Sequence, residues 1–201
     1  MRNVFKRLNS KRRVLANDTG KYKPGEFGYW WTVIQGNEDI EGQVYRGDID
    51  CEFNKLTSLK GAPRKVDGYF DCDRNKLTSL KGAPEYVAKS FTCSFNQLTT
   101  LEGAPEYVGG SFYCDNNKLT SLKGAPEEIR GEFYCKYNNL TFLIGAPRKV
   151  RGDFTCSFNQ LTTLEGAPAY VGGNFYCGDN NIKFYPGYIK GRFYCDLSSV
   201  D

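Results

Sequence analysis

Residues Phe91–Val108 read FTCSFNQLTTLEGAPEYV, and nearly the same phrase returns every 21 residues. Its cysteine is the ruler. Cys51, Cys72, Cys93, Cys114, Cys135, Cys156, Cys177 and Cys195 are spaced by 21 residues, except for a last interval of 18. A fixed period in the twenties marks a solenoid, because one such unit cannot bury its own apolar face and must stack on its copies.

Within the unit Phe70–Val87, Phe70 and Cys72 alternate with Asp71, the two-residue period of a short strand with one buried face. Asn75 stands third after the cysteine, followed by Leu77 and Leu80. Gly82-Ala83-Pro84 then signals a turn, pairing a flexible residue with a φ-locked one. In register, the residues form columns. Phe70, Phe91, Phe112, Phe133, Phe154, Phe175 and Phe193 make an inner aromatic spine that Ile49 begins. The column Asn54, Asn75, Asn96, Asn117, Asn138, Asn159 and Asn180 suits buried amides that satisfy backbone groups at a bend.

With these residues in place, the chain resembles the leucine-rich-repeat proteins. The stretch Phe112-x-Cys114-x-x-Asn117-x-Leu119 matches that family's L-x-L-x-x-N/C-x-L phrase, with Phe and Cys in the first two leucine places. It departs at the family's opening leucine, where Val66, Val87, Val108, Ile129, Val150 and Val171 stand one place earlier. The 21-residue length and Gly-Ala-Pro turn look like the short bacterial type of secreted effectors. The wording is also similar to repeat proteins of tailed bacteriophages. The resemblance covers about residues 45–201. It implies a β-rich solenoid: a right-handed coil with a parallel strand ladder on its concave face and little helix.

Composition divides the chain. Of the net charge of +4, Arg2, Lys6, Arg7, Lys11, Arg12 and Arg13 contribute six positive charges with no acid among residues 1–13. Residues 1–44, with Tyr29-Trp30-Trp31 and Val33-Ile34, are expected to form a basic arm and an N-terminal cap. The solenoid is expected over 45–185, and a shortened last repeat with a C-terminal cap over 186–201. No apolar run approaches the roughly 18 residues of a membrane span, and charge at Lys6, Arg7 and Lys11 interrupts any secretory-signal core. A cytoplasmic protein is the expectation, with secretion by a non-standard route left open.

The cysteines read as small core residues. Stacked strand positions scarcely reach the Cβ separation of a disulfide, and a single column presents thiols along a line, whereas a metal needs convergence on a point. The chain has no histidine and no phosphate-binding glycine loop. Neither a catalytic residue, a metal nor a cofactor is expected, and the chain is read as non-enzymatic.

Function is therefore sought on the outward strand positions. Between Phe and Cys the series runs Asp50, Asp71, Thr92, Tyr113, Tyr134, Thr155, Tyr176, Tyr194, acidic first and aromatic later. Two places after each cysteine come Phe53, Arg74, Phe95, Asn116, Tyr137, Phe158, Asp179 and Leu197, either outward or packed at the turn. Asp50, Asp71, Tyr113, Tyr134, Tyr176, Tyr194, Phe95, Tyr137 and Phe158 are the expected contacts for a protein partner, since interfaces favour aromatics. Cross-strand stacking that only stabilises the sheet is the competing account of the tyrosines. A host or defence factor is the partner that the phage-like wording implies. Nucleic acid is the alternative, held by Arg2, Lys6, Arg7, Lys11, Arg12 and Arg13. Self-association along an edge strand is also open.

Overall fold

In the computed structural model, which describes residues 20–183 and 192–195, each coil presents two short strands. The Phe-x-Cys segments build an eight-stranded parallel ladder: β2 (Ile49–Asp50), β4 (Phe70–Asp71), β6 (Phe91–Thr92), β8 (Phe112–Tyr113), β10 (Phe133–Tyr134), β12 (Phe154–Thr155), β14 (Asn174–Tyr176) and β15 (Arg192–Tyr194). A second, seven-stranded parallel ladder follows the Gly-Ala-Pro turns: β1 (Val44–Tyr45), β3 (Lys65–Val66), β5 (Tyr86–Val87), β7 (Tyr107–Val108), β9 (Glu128–Ile129), β11 (Lys149–Val150) and β13 (Tyr170–Val171). The sequence pattern did not signal this second ladder. Its strands are mostly two residues long, too short for alternation to show, and they begin where the chain departs from the leucine-rich phrase.

Stacking is in register. Phe112 pairs with Phe91 on one side and Phe133 on the other, and Val87 pairs with Val66 and Val108. The core lies between the two ladders, where Phe70, Cys72, Leu77, Leu80 and Val87 are wholly buried, their equivalents are buried through Ile182, and Phe193 and Cys195 are partly buried. Successive spine rings lie 5.0–5.8 Å apart from Phe70 to Phe193. Each such contact adds about 0.5–1.5 kcal/mol beyond area burial. At the first coil Ile49 holds the spine position and is smaller than a phenylalanine. Phe27, from the non-repeating start, comes within 5.9 Å of the Phe70 ring and is itself fully buried.

Phe27 belongs to a helical turn, Phe27–Tyr29, that continues as a π-turn over Trp30–Ile34. Backbone bonds fix it to the first coil: the Phe27 N–H donates to Ser58 and the Gly28 N–H to Lys60. The basic residues Arg2 to Arg13, a helix or arm over Val4–Leu15, the shortened turn at Pro186-Gly187 and the departure at Ser198 lie outside the described residues. Among the described residues no helix is long and apolar enough to cross a membrane.

The asparagine column ties the coils together. Asn138 donates through Nδ2 to the carbonyls of Cys135 in its own coil and Cys114 in the preceding one, both at 3.1 Å. Its Oδ1 accepts the Leu119 N–H at 3.0 Å. Asn75, Asn96, Asn117, Asn159 and Asn180 repeat this set. The Asn54 side chain, with no earlier coil of its kind, donates to the Glu52 carbonyl within its own turn.

The thiols of Cys51, Cys72, Cys93 and Cys114 each donate to the carbonyl one residue before the next cysteine, at 3.0–3.4 Å. Burial pushes these thiols well above their ordinary range. Six cysteines are free thiols, and Cys177 and Cys195 stand side by side across β14 and β15 with Cα atoms 4.6 Å apart, the ordinary spacing of stacked strand residues.

Turn glycines set the coil spacing. Gly124 has φ of 95°, and a Cβ there would meet the backbone of Leu101 and Glu102 at 2.5 Å. Only glycine lets consecutive turns approach so closely.

If the asparagines hold coil to coil, Asn138→Ala leaves buried groups orphaned in two coils at once. With each orphan costing about 1–3 kcal/mol, urea denaturation should show a loss of about 2–4 kcal/mol. Asn54→Ala, at an exposed position, should change stability by less than about 0.5 kcal/mol. Equal effects of the two substitutions would contradict the account.

Candidate functional site

Beside the eight-stranded ladder lie three rows of side chains. Alternation places those just before and just after each cysteine off the core side, Ser94 and Asp115 among them being buried. A left-handed backbone turns out the next residue. The row between Phe and Cys is not uniformly exposed. Asp50 and Tyr194 face solvent, Asp71, Tyr113, Tyr134 and Tyr176 are half-buried, and Thr155 is buried. The tyrosines shield one another: Tyr113 stacks on Tyr134 at 5.2 Å and Tyr176 on Tyr194 at 5.1 Å. Cross-strand stacking and partial exposure thus coexist. Thr155 breaks the row between Tyr134 and Tyr176, and its buried hydroxyl has no hydrogen-bond partner. The Tyr113 hydroxyl donates to Glu132 at 3.3 Å. Burial, with the nearby charges of Glu132 and Asp153, pushes the Tyr134 phenol up to about 12.

The row two places after each cysteine is the more unusual. Phe53, Arg74, Phe95, Asn116, Tyr137, Phe158 and Asp179 all have φ between 52° and 56°, the left-handed region. These side chains point away from the core. Phe53 is 63% exposed, Phe95 43%, Tyr137 46% and Phe158 42%. They stack along the face: Tyr137 lies 4.4 Å from Phe158, nearly parallel at 11°. The Arg74 guanidinium lies between Phe53 and Phe95, at 5.2 and 4.1 Å from their ring centres.

A third row, directly after each cysteine, was missed in the sequence reading. It holds Glu52, Asp73, Ser94, Asp115 and Lys136. The same two-residue alternation that puts Asp71 outward also puts Asp73 there, so the signal was present. Asp73 accepts the Ser94 N–H and Asp115 accepts the Lys136 N–H, each one coil ahead. Burial, reinforced by the charge of Asp71, raises the Asp73 carboxyl to about 7. Burial raises Asp115 to about 6. Glu52 rises for the same reason, with Asp50 and Asp71 adding to it.

The face is therefore acidic as well as aromatic. Asp48, Asp50, Glu52, Asp71 and Asp73 crowd the first two coils, and Asp48 is paired to Lys89 at 3.1 Å. Among the described residues no three His, Cys, Asp or Glu side chains are grouped to hold a metal. The lysines beyond the strands lie elsewhere, and two of them are paired, Lys60 with Glu26 and Lys123 with Glu102. A shallow recess beside the other ladder, bordered by Glu127, Glu128, Arg148, Lys149 and Arg151, is closed on itself by ion pairs such as Arg151 to Glu128 at 2.8 Å.

A carboxyl raised on folding binds its proton more tightly in the folded state, so its contribution favours folding at low pH. From Asp73, with an ordinary unfolded value near 4, stability should fall as pH rises from about 4 to about 7. Asp73→Asn keeps an acceptor for Ser94 and removes that charge. The variant should match wild type in urea at pH 4 and exceed it at pH 8 by about 1 kcal/mol, after discounting for solvent screening. A pH-independent difference would show that Asp73 does not titrate in this range.

No protein-family model matches the chain, and no curated protein matches it. Among solved structures it is similar to a Shigella effector leucine-rich-repeat domain, at 20% identity and a TM-score of 0.58. The alignment covers 90% of this chain and 82% of that one. The chain thus has the leucine-rich-repeat type of fold, a parallel-strand solenoid with little helix in which Phe-x-Cys takes the place of the leucine strand.

Proposed function

We propose that this is a non-enzymatic recognition protein that binds another protein through the face of the eight-stranded ladder, the concave side of the solenoid. One observation carries the reading. Phe53, Phe95, Tyr137 and Phe158 are large, exposed and held at left-handed φ. That conformation costs an L-residue roughly 1–2 kcal/mol, and least for Asn or Asp. Asn116 and Asp179 show the cheaper choice at the same place in other coils. Exposed aromatics recover little of the cost by burial, whereas a contact surface uses them well. Tyr113, Tyr134, Tyr176 and Tyr194, with Asp50 and Asp71, extend the surface.

The finer reading, a bacteriophage protein meeting a host or defence factor in a bacterial cytoplasm, rests on the resemblance of repeat wording. The likeness to an effector domain fits a binding scaffold, and at its level of identity speaks for fold. Nucleic acid is the second reading, favoured by the six charges of residues 1–13. The acidic face opposes phosphate, so that reading would rest on the arm alone.

Two measurements test the proposal. Phe53→Asn should raise stability by about 0.5–1 kcal/mol in urea, because the strain is relieved and little packing is lost. In capture from bacterial lysate, a protein retained by the full chain should be lost with Tyr137→Ala and Phe158→Ala together, yet kept after deletion of residues 1–13. Capture that ignores the aromatics and disappears with the arm, in a salt-dependent way, would replace protein recognition by nucleic-acid binding.

A further inference from the structure

Resting on that reading of the face, we infer that it recognises an arginine of its partner, whose guanidinium enters between Phe95 and Tyr137 above Asn116. The molecule supplies its own precedent. In the row after the cysteines, Phe53 and Phe95 are separated by two coils, and the guanidinium of Arg74 lies between their rings. Phe95 and Tyr137 are separated by the same two coils, about 9.6 Å at the strand spacing. Their backbones share the geometry of the first pair, with φ of 54° and 55°. The residue between them is the short Asn116, whose side chain leaves the space that Arg74 fills one step earlier. Both flanking rings are more than 40% exposed, so the gap is open to a partner.

The precedent of Arg74 selects the occupant. Asp73 and Asp115 lie directly before Arg74 and Asn116 in the chain, Asp73 half-buried and Asp115 buried with Lys136 close to it. A nucleobase would fit the width but bring phosphate against carboxylates. An aromatic side chain would gain nothing from the acids. A lysine would gain the charge and lose the flat stacking that a guanidinium offers. Two like charges are near, Arg74 two coils away and Lys136 one coil away beside Asp115, and each costs a bound guanidinium some affinity. Two aromatic faces supply roughly 5- to 30-fold over a neutral planar analogue before that repulsion is taken off.

The test uses the full chain and three short peptides, acetyl-Gly-Ser-X-Ser-Gly-amide, with X as arginine, lysine or citrulline. Binding is followed by 1H–15N NMR, reading the Asn116 side-chain amide and the Phe95 and Tyr137 backbone amides. The arginine peptide should give saturable shifts at these signals with millimolar affinity, at least fivefold tighter than either analogue. Asn116→Arg should fill the gap from within, as Arg74 does, and weaken binding at least tenfold. Its urea midpoint should fall only modestly, because left-handed φ costs an arginine more than an asparagine, and its NMR spectrum should stay that of the folded chain. Tyr137→Leu, which removes one wall, should weaken it several-fold. The inference is overturned by equal binding of the three peptides, by undiminished binding to Asn116→Arg, by shifts that map to the Glu127–Arg151 recess, or by no saturation at tens of millimolar. Should it fall while lysate capture still depends on Tyr137 and Phe158, the recognition face stands and only its arginine preference is lost.

Discussion

Everything in this molecule depends on one buried amide per coil. From Asn75 to Asn180 the asparagine third after the cysteine donates to two carbonyls and accepts an N–H, and those partners belong to two consecutive coils. The bend after the strand would otherwise leave polar backbone groups in an apolar interior. Because the amide reaches both coils, it fixes the register of each on the last. Register then brings Phe onto Phe, Cys onto Cys and Leu onto Leu without further instruction. A glycine at the opposite turn, pressed against the preceding backbone, lets the coils close to the same spacing there.

The face is a product of that regularity. Once register is fixed, a residue two places after the cysteine has no choice of direction or backbone conformation. The framework can therefore hold a phenylalanine at left-handed φ where a loop would relax away from it. The strain is carried by the stack, and the rings emerge as rows with a set pitch. The rows differ from coil to coil only in chemistry, so a partner would read a sequence of side chains, acidic at one end and aromatic toward the other.

Much of this was legible in the chain. The columns of Phe, Cys, Asn and Leu are each a period-21 signal, and they sort inward from outward directly. What escaped had specific causes. The second ladder is built of strands too short to alternate, so Val66 and its equivalents looked only like a displaced leucine. Phe27 sits outside the repeat, and nothing local to it says that Ile49 leaves room for a ring. Asp73 and Asp115 obey the same alternation as Asp71 but follow the cysteine, where attention to the core residue hides them. That the row from Phe53 to Asp179 is left-handed is a property of the bend, which residue types alone do not declare.

The direction of the asparagine bonds has a mechanical meaning. They run from coil to coil along the long axis, as do the ladder bonds, so a force applied to the two ends loads the interfaces in series. No coil shares the load of another. Each interface yields when its own bonds give way, and each coil that peels off releases its 21 residues at once, lengthening the chain by about 70 Å. The same stack that is rigid against a partner pressing on its face is, when drawn out from its ends, a chain of separate and nearly identical links.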